Sequence, residues 1–256
     1  MNKIIVLCIF FVFLLKPAIC QSLLIPDKGF QASVSLGNTQ YKEYLFNGLR
    51  NDGINYSLQV DYNIVNNKIT HNFGFNLTHA FLWNRYGWPN WFINPSLHYR
   101  FLLDINSRFK FGGNIRYSNL FYSNENYDSQ HLYWITPADI SASAVYYIPL
   151  KNGAKLIIPV NIPLFGFLSR PPADRNLILN EPDLKVSDIL KRLNSDFNFY
   201  TIGNKLFEIE TGVYFQTINN LTFGYRLHYQ QTALSKNTQL FTNQFVFQFP
   251  MSKLKK

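Results

Sequence analysis

From Ile54 to Ile64 the chain switches between apolar and polar at every residue: Ile54, Tyr56, Leu58, Val60, Tyr62 and Ile64 alternate with Asn55, Ser57, Gln59, Asp61 and Asn63. Successive side chains of an extended strand point to opposite faces, so a period of two builds one apolar face and one polar face. Similar stretches recur along the chain. In a soluble sandwich the apolar faces would be core, but here they are long, aromatic and preceded by a secretory leader.

That leader is residues 1–20. Met1-Asn2-Lys3 is a positive start, Ile4 to Leu15 is an unbroken apolar run, and Ala18-Ile19-Cys20 offers small residues where a signal peptidase reads. The run falls short of the roughly 20 residues that a spanning helix needs. Cleavage would leave Gln21 as the mature N-terminus. Lipidation of Cys20 is the alternative, and the bulky Ile19 before it fits that poorly. Both cysteines, Cys8 and Cys20, leave with the leader, so the mature chain has no disulfide and no thiol chemistry. Lys3 and Lys16 leave too, lowering the formal net charge from +9 to +7. Apart from Lys253, Lys255 and Lys256 the positive charges are scattered, which speaks against nucleic acid as a partner.

No later segment reads as a membrane helix, and a closed barrel is then the one way to span a bilayer, because every backbone group must pair internally. The expectation is an all-β, antiparallel, transmembrane up-and-down β-barrel over residues 21–249, with a short basic tail at 250–256. Strands are expected near 29–38, 53–65, 68–82, 91–103, 107–121, 139–150, 155–167, 196–217, 221–232 and 239–249. Ten is even, as in single-chain bacterial barrels. If Gly203-Asn204 were a hairpin turn the count would move to twelve; a glycine bulge within one strand keeps ten.

The connections alternate in length. Asn66-Asn67, Asp104-Ile105-Asn106, Asn152-Gly153 and Ile218-Asn219-Asn220 read as tight turns. Between them run long polar connections near 39–52, 83–90, 122–138, 168–195 and 233–238. This is the asymmetry of short periplasmic turns and long external loops.

Phe73, Phe75, Leu77 and Phe81 alternate with Asn72, Gly74, Asn76 and Thr78, and Leu221 to Tyr229 alternate with Thr222, Gly224, Arg226, His228 and Gln230. Turning the polar set to lipid would cost roughly 2–4 kcal/mol for an arginine at the midplane, so that set faces the lumen. Trp83, Trp88, Trp91 and Tyr122 read as interfacial girdle residues.

The last alternating stretch, Gln239 to Phe249, is rich in aromatics and resembles the terminal targeting strand of outer-membrane proteins, which the barrel assembly machinery reads. It departs from that pattern in the residues after Phe249. The leader, the strands and this motif together resemble the class of small bacterial outer-membrane β-barrel proteins, without identifying a family. The resemblance implies an integral outer-membrane protein, with outer-membrane lipid and the barrel assembly machinery as partners.

Inside the barrel the expected charged set is Asp61, Arg100, Lys110, Arg116, Glu208, Glu210 and Arg226, beside His98 and His228. A turn centred on Asn219 places Glu210 opposite His228 and diagonal to Arg226, and a turn around Ile105 would place Arg100 opposite Lys110. The set reads in two ways: a structural network that closes the lumen, or a positive wall of Arg100, Lys110 and Arg116 that selects anions.

Enzyme readings fare worse. Glu210 and His228 lack a nucleophile, since Thr222 lies toward the periplasmic end, and the Asp128-Ser129-Gln130-His131 run lies in an external loop. Neither the acid and Asp-His pairs of omptin proteases nor the His-Ser pair of the outer-membrane phospholipase is found. No cofactor or metal site is expected, because no phosphate loop, zinc spacing or calcium loop appears.

Within the long connection, Ser169-Arg170-Pro171-Pro172 is a stiff start. Further on, Val186, Ile189, Leu190 and Leu193 fall at helical spacing after Pro182 and Asp183. This predicts a short helix in an external loop, serving as a lid. The favoured function is a narrow channel or transporter for small solutes, anions among them; the alternative is a closed structural or surface-interaction barrel that acts through its external loops.

Overall fold

The computed structural model describes residues 29–43, 50–87, 89–124, 131–150, 153–170, 177–178, 185, 187–188, 191, 194, 197–233 and 237–251. The leader, most of the tail, Trp88, Asp128-Ser129-Gln130 and the four expected lid residues Val186, Ile189, Leu190 and Leu193 lie outside them. Ser187, Asp188 and Lys191 are helical, but no helix stands among the described elements.

Thirteen strand segments are described. They are β1 (Gly29–Glu43), β2 (Arg50–Asn66), β3 (Ile69–Asn84), β4 (Pro89–Asn106), β5 (Phe109–Ser118), β6 (Leu120–Asn124), β7 (His131–Pro149), β8 (Lys155–Ser169), β9 (Leu177–Ile178), β10 (Asn198–Ile202), β11 (Lys205–Gln216), β12 (Thr222–Thr232) and β13 (Thr238–Pro250). Each main strand pairs antiparallel with its sequence neighbour, and β1 closes the ring by pairing with β13 from Gln31↔Pro250 to Glu43↔Thr238. Both β5 and β6 lie between β4 and β7, so they are one stave interrupted at Asn119. Both β10 and β11 run antiparallel along β8, so they are one stave too. With β9 outside the ring, ten staves remain among the described residues.

The break between β10 and β11 is therefore a bulge, as the ten-strand reading required. Gly203 has φ 74° and Lys205 has φ 67°, which lets the chain bulge out and rejoin β8.

The staves outrun their expected lengths. β1 continues to Glu43, β2 begins at Arg50 and β7 begins at His131. Apolar alternation marks only the part in contact with lipid; beyond it the outer residues turn polar while the backbone ladder continues. The same continuation corrects one girdle assignment. Tyr122 lies in β6 with the inward parity of Arg116 and Ser118, is buried, and packs on Tyr41 with ring centroids 4.6 Å apart.

The two faces divide as the alternation requires. Leu58, Phe73, Phe81 and Phe223 are exposed outward, whereas Asn55, Asn63, Asn72 and Thr222 are buried inward. Outward apolar residues cover every main stave, and the interior holds most of the buried polar atoms. This is the inverse of a soluble protein and fits a sheet solvated by lipid.

Candidate functional site: the filled lumen

Tertiary closure decides which inward charges meet. Arg116 on β5 faces Asp139 on β7 as a cross-strand pair, and its Nε and Nη2 donate to Asp139 Oδ2 at 2.9 and 2.6 Å. The same guanidinium crosses the lumen to Glu208 on β11, with Nη2 donating to Oε2 at 2.7 Å and Nη1 bonding Oε1. Glu208 Oε1 also meets His228 Nε2 at 2.9 Å. Arginine's planar fork suits this arrangement, in which one cation serves two carboxylates.

A second group is built around Arg226. Its Nε donates to Gln244 Oε1 at 3.0 Å, Nη2 to Ser57 Oγ at 3.2 Å and Nη1 to Gln59 Oε1 at 3.3 Å, while Glu210 Oε1 lies 3.7 Å away. Gln59 passes the network on to Asp61 at 3.4 Å, and His98 Nε2 lies 3.5 Å from Asp61 and 2.6 Å from Asn72 Oδ1.

Two sequence expectations meet different fates. Glu210 does stand opposite His228 in the ladder, but His228 bonds the neighbouring Glu208. Arg100 does not stand opposite Lys110: it faces Asn114, and Lys110 faces Asp104, with Nζ to Oδ1 at 2.8 Å. The hairpin turns at Ser107-Arg108, held by the Arg108 amide donating to Asn106 Oδ1 at 2.8 Å, and the ladder shifts register between Asp104 and Asn106. Placing the turn at Ile105 moved the whole pairing. Lys110 thus sits apart from the central groups, near the short-turn end.

Sequence reasoning missed Asp139, Asp104 and Arg170. Asp139 has the parity of Ser141 and Ser143, both buried, and would have been found by extending that phase to the strand's first residue. With it, the buried charged side chains among the described residues are four acids, Asp61, Asp139, Glu208 and Glu210, against four arginines, Arg100, Arg116, Arg170 and Arg226. Such balance is what a low-dielectric interior tolerates; an uncompensated buried charge costs several kcal/mol.

Above the ionic layer, toward the long connections, the lumen is apolar. Tyr41, Ala80, Leu82, Phe92, Leu120, Tyr122, Ile135, Leu168, Tyr200, Leu206 and Leu240 form one buried cluster. They come from β1, β3, β4, β6, β7, β8, β10, β11 and β13, so they make a disc across the barrel. A second cluster, including Leu102, Tyr147, Ile157 and Tyr214, lies toward the short turns. Between disc and ions a cavity of about 40 Å³ touches Phe92, Leu240, Arg116, Glu210, Arg226 and His228. It has room for a few waters and is far below the roughly 300 Å³ at which small-molecule sites begin.

These features define a class: a membrane-spanning, antiparallel, ten-stave β-barrel with lipid-facing apolar residues and a lumen lined by buried polar side chains. No family model and no curated protein matches the chain. Its fold is similar to the β domain of the Bordetella autotransporter BrkA, at 10% identity and TM-score 0.44, over 88% of this chain and 100% of that one. It is also similar to an outer-membrane channel from Pseudomonas putida F1, at 7% identity and TM-score 0.39, over 88% and 97%. A third likeness is to Ail, the attachment invasion locus protein of Yersinia pestis, at 11% identity and TM-score 0.27, over 86% and 99%. These solved structures are outer-membrane β-barrel proteins of differing function, and at such identities they assign none to this chain.

Proposed function

We propose that the chain is an outer-membrane barrel with a closed lumen, a rigid platform whose long external connections meet partners outside the cell. The observation that carries this reading is the bridge from Arg116 to Asp139 and Glu208 beneath the apolar disc, which leaves a cavity of about 40 Å³. A buried guanidinium bonded at once to two carboxylates, as Arg116 is, rigidifies an interior and favours one arrangement. In this reading the chain carries out no reaction and uses no cofactor. Its partners are outer-membrane lipid and, during insertion, the barrel assembly machinery acting on the last strand.

The competing reading is a narrow channel for small, anionic solutes, with Arg100, Lys110 and Arg116 as the selecting wall. It is less well supported, because Arg116 is shared by two carboxylates, Lys110 is paired with Asp104, and the disc lies across the path. Single-channel conductance of the refolded mature protein in a planar bilayer distinguishes the two. A folded, silent barrel is expected; steady anion-preferring openings would overturn the closed-lumen proposal.

A further inference from the structure

The ring is not equally well stitched all round. The ladders of β1 with β13 and β2, of β2 with β3, of β3 with β4, and of β12 with β11 and β13 run without a gap. Where β5 gives way to β6, the Asn119 amide donates to the Pro95 carbonyl at 2.9 Å and holds the interruption to β4. The seam between β8 and the stave of β10 and β11 is different. β11 pairs with β8 from Gln216↔Lys155 to Tyr214↔Ile157, and again at Thr211↔Val160 and Glu210↔Asn161. Among the described residues, Ile158 and Pro159 have no ladder partner on β11, and neither have Ile162, Pro163 and Leu164. Pairing resumes only at Phe165, opposite Thr201 of β10.

Two prolines account for the gaps. Proline has no N–H to give to a ladder, which confines it in most sheets to edges and bulges. On the other side of β8 both prolines keep their partners, Val145 and Ser141 of β7, in a ladder whose register shifts between Ile140 and Ser141, beside Pro163. The Pro159 carbonyl points to β11, where Thr211 Oγ1 donates to it at 2.9 Å. In an antiparallel ladder a residue's N–H and C=O address the same neighbour, and every second residue addresses that neighbour again. Pro159 and Pro163 therefore both withhold a donor from β11.

The seam faces lipid, since Leu164, Phe165, Phe207 and Val213 are apolar and exposed outward. Hydrocarbon offers no water to replace a lost backbone partner, so this closure is weaker than any unbroken ladder in the ring. β11 is held on its other side by a continuous ladder with β12, and Arg116 grips its Glu208 across the lumen. β8 is tied to β7 instead: Ser143 Oγ donates to Asn161 Oδ1 at 2.6 Å. β8 is the stave free to move.

We propose that the barrel opens sideways at this seam. The stretch of β8 from Ile158 to Leu164 swings away from β11 and gives the polar lumen a lateral mouth into the membrane. Arg116, Glu208 and the apolar disc meanwhile keep the axial path closed. Opening costs least where fewest ladder bonds must break, so the two prolines choose the place.

Hydrogen–deuterium exchange of the full mature chain in phospholipid vesicles, read by mass spectrometry, tests this, with heat-modifiable migration as the check on folding. Amides from Phe207 to Val213 are expected to exchange about tenfold faster than those from Leu58 to Tyr62, whose ladders are unbroken. Pro159→Val with Pro163→Val restores both donors and should slow the seam about tenfold while leaving Leu58 to Tyr62 unchanged. Pro159→Val alone, with a smaller slowing, serves if the double variant does not fold. A second route locks the seam directly. Val160→Cys with Thr211→Cys joins an opposed pair in a chain whose own cysteines, Cys8 and Cys20, lie in the leader. The oxidised form should exchange slowly at the seam, and reduction should restore the fast rate. Seam protection equal to that of Leu58 to Tyr62 in the wild type, or fast exchange that survives both the restored donors and the disulfide, would overturn the proposal.

Discussion

Arg116 and Glu208 stand on staves with two others between them, and the guanidinium of one nonetheless grips both carboxylate oxygens of the other, Nη2 to Oε2 at 2.7 Å. Their contact is a strut through the lumen. Because Asp139 holds the same guanidinium from the adjacent stave, the strut is fixed in direction as well as length.

Removing one end should therefore be expensive. Arg116→Ala leaves Asp139 and Glu208 facing each other in a buried site, a change that costs about 3–5 kcal/mol in buried pairs. Urea unfolding of the barrel in vesicles reads this as a lowered midpoint. In a double-mutant cycle, Arg116→Ala with Glu208→Ala should recover part of the loss, since the second change removes the stranded acid.

The pair of Lys110 and Asp104 offers the contrast. Its side chains are 19% and 34% exposed, so water already screens them. Lys110→Gln should cost about 0–1 kcal/mol in the same unfolding assay. A loss as large as that of Arg116→Ala would place Lys110 in the central network after all.

The apolar disc is expected to be the barrier to ions. Replacing Phe92 and Tyr122 together by serine opens space beside the cavity of about 40 Å³ and admits water to the ionic layer. Planar-bilayer recording should then show openings absent from the wild type. Continued silence of the folded variant would locate the barrier elsewhere.

Lipid contact is tested from outside. Leu58 is 55% exposed, in the middle of the β2 outer face. Leu58→Arg should destabilise the barrel in a bilayer by roughly 2–4 kcal/mol if that residue lies near the midplane. An unchanged unfolding free energy would remove this face from the membrane.

Gly203 turns the chain out of the stave with φ 74°, and nothing crowds its side-chain position. Gly203→Val should cost about 1–2 kcal/mol through the backbone alone, with no new species in the unfolding curve.

Local chemistry determined much of this protein. The period of two named the faces of Phe73 and Asn72, of Phe223 and Thr222, and of Leu58 and Ser57, because parity within a strand needs no knowledge of its neighbours. Alternating loop lengths gave ten staves, and the turn at Asn219 gave the pairing of Glu210 with His228, because a hairpin register follows from its own turn. The same reasoning failed at Ile105, where a bulge and a turn two residues later put Asp104 beside Lys110. What the tertiary structure alone decided are the contacts across the lumen: Arg116 with Glu208, Arg226 with Gln59, and a disc drawn from nine segments. Those partners depend on where the ring closes and how far each stave is staggered against the next, a geometry set by all ten staves together and written in none of them singly.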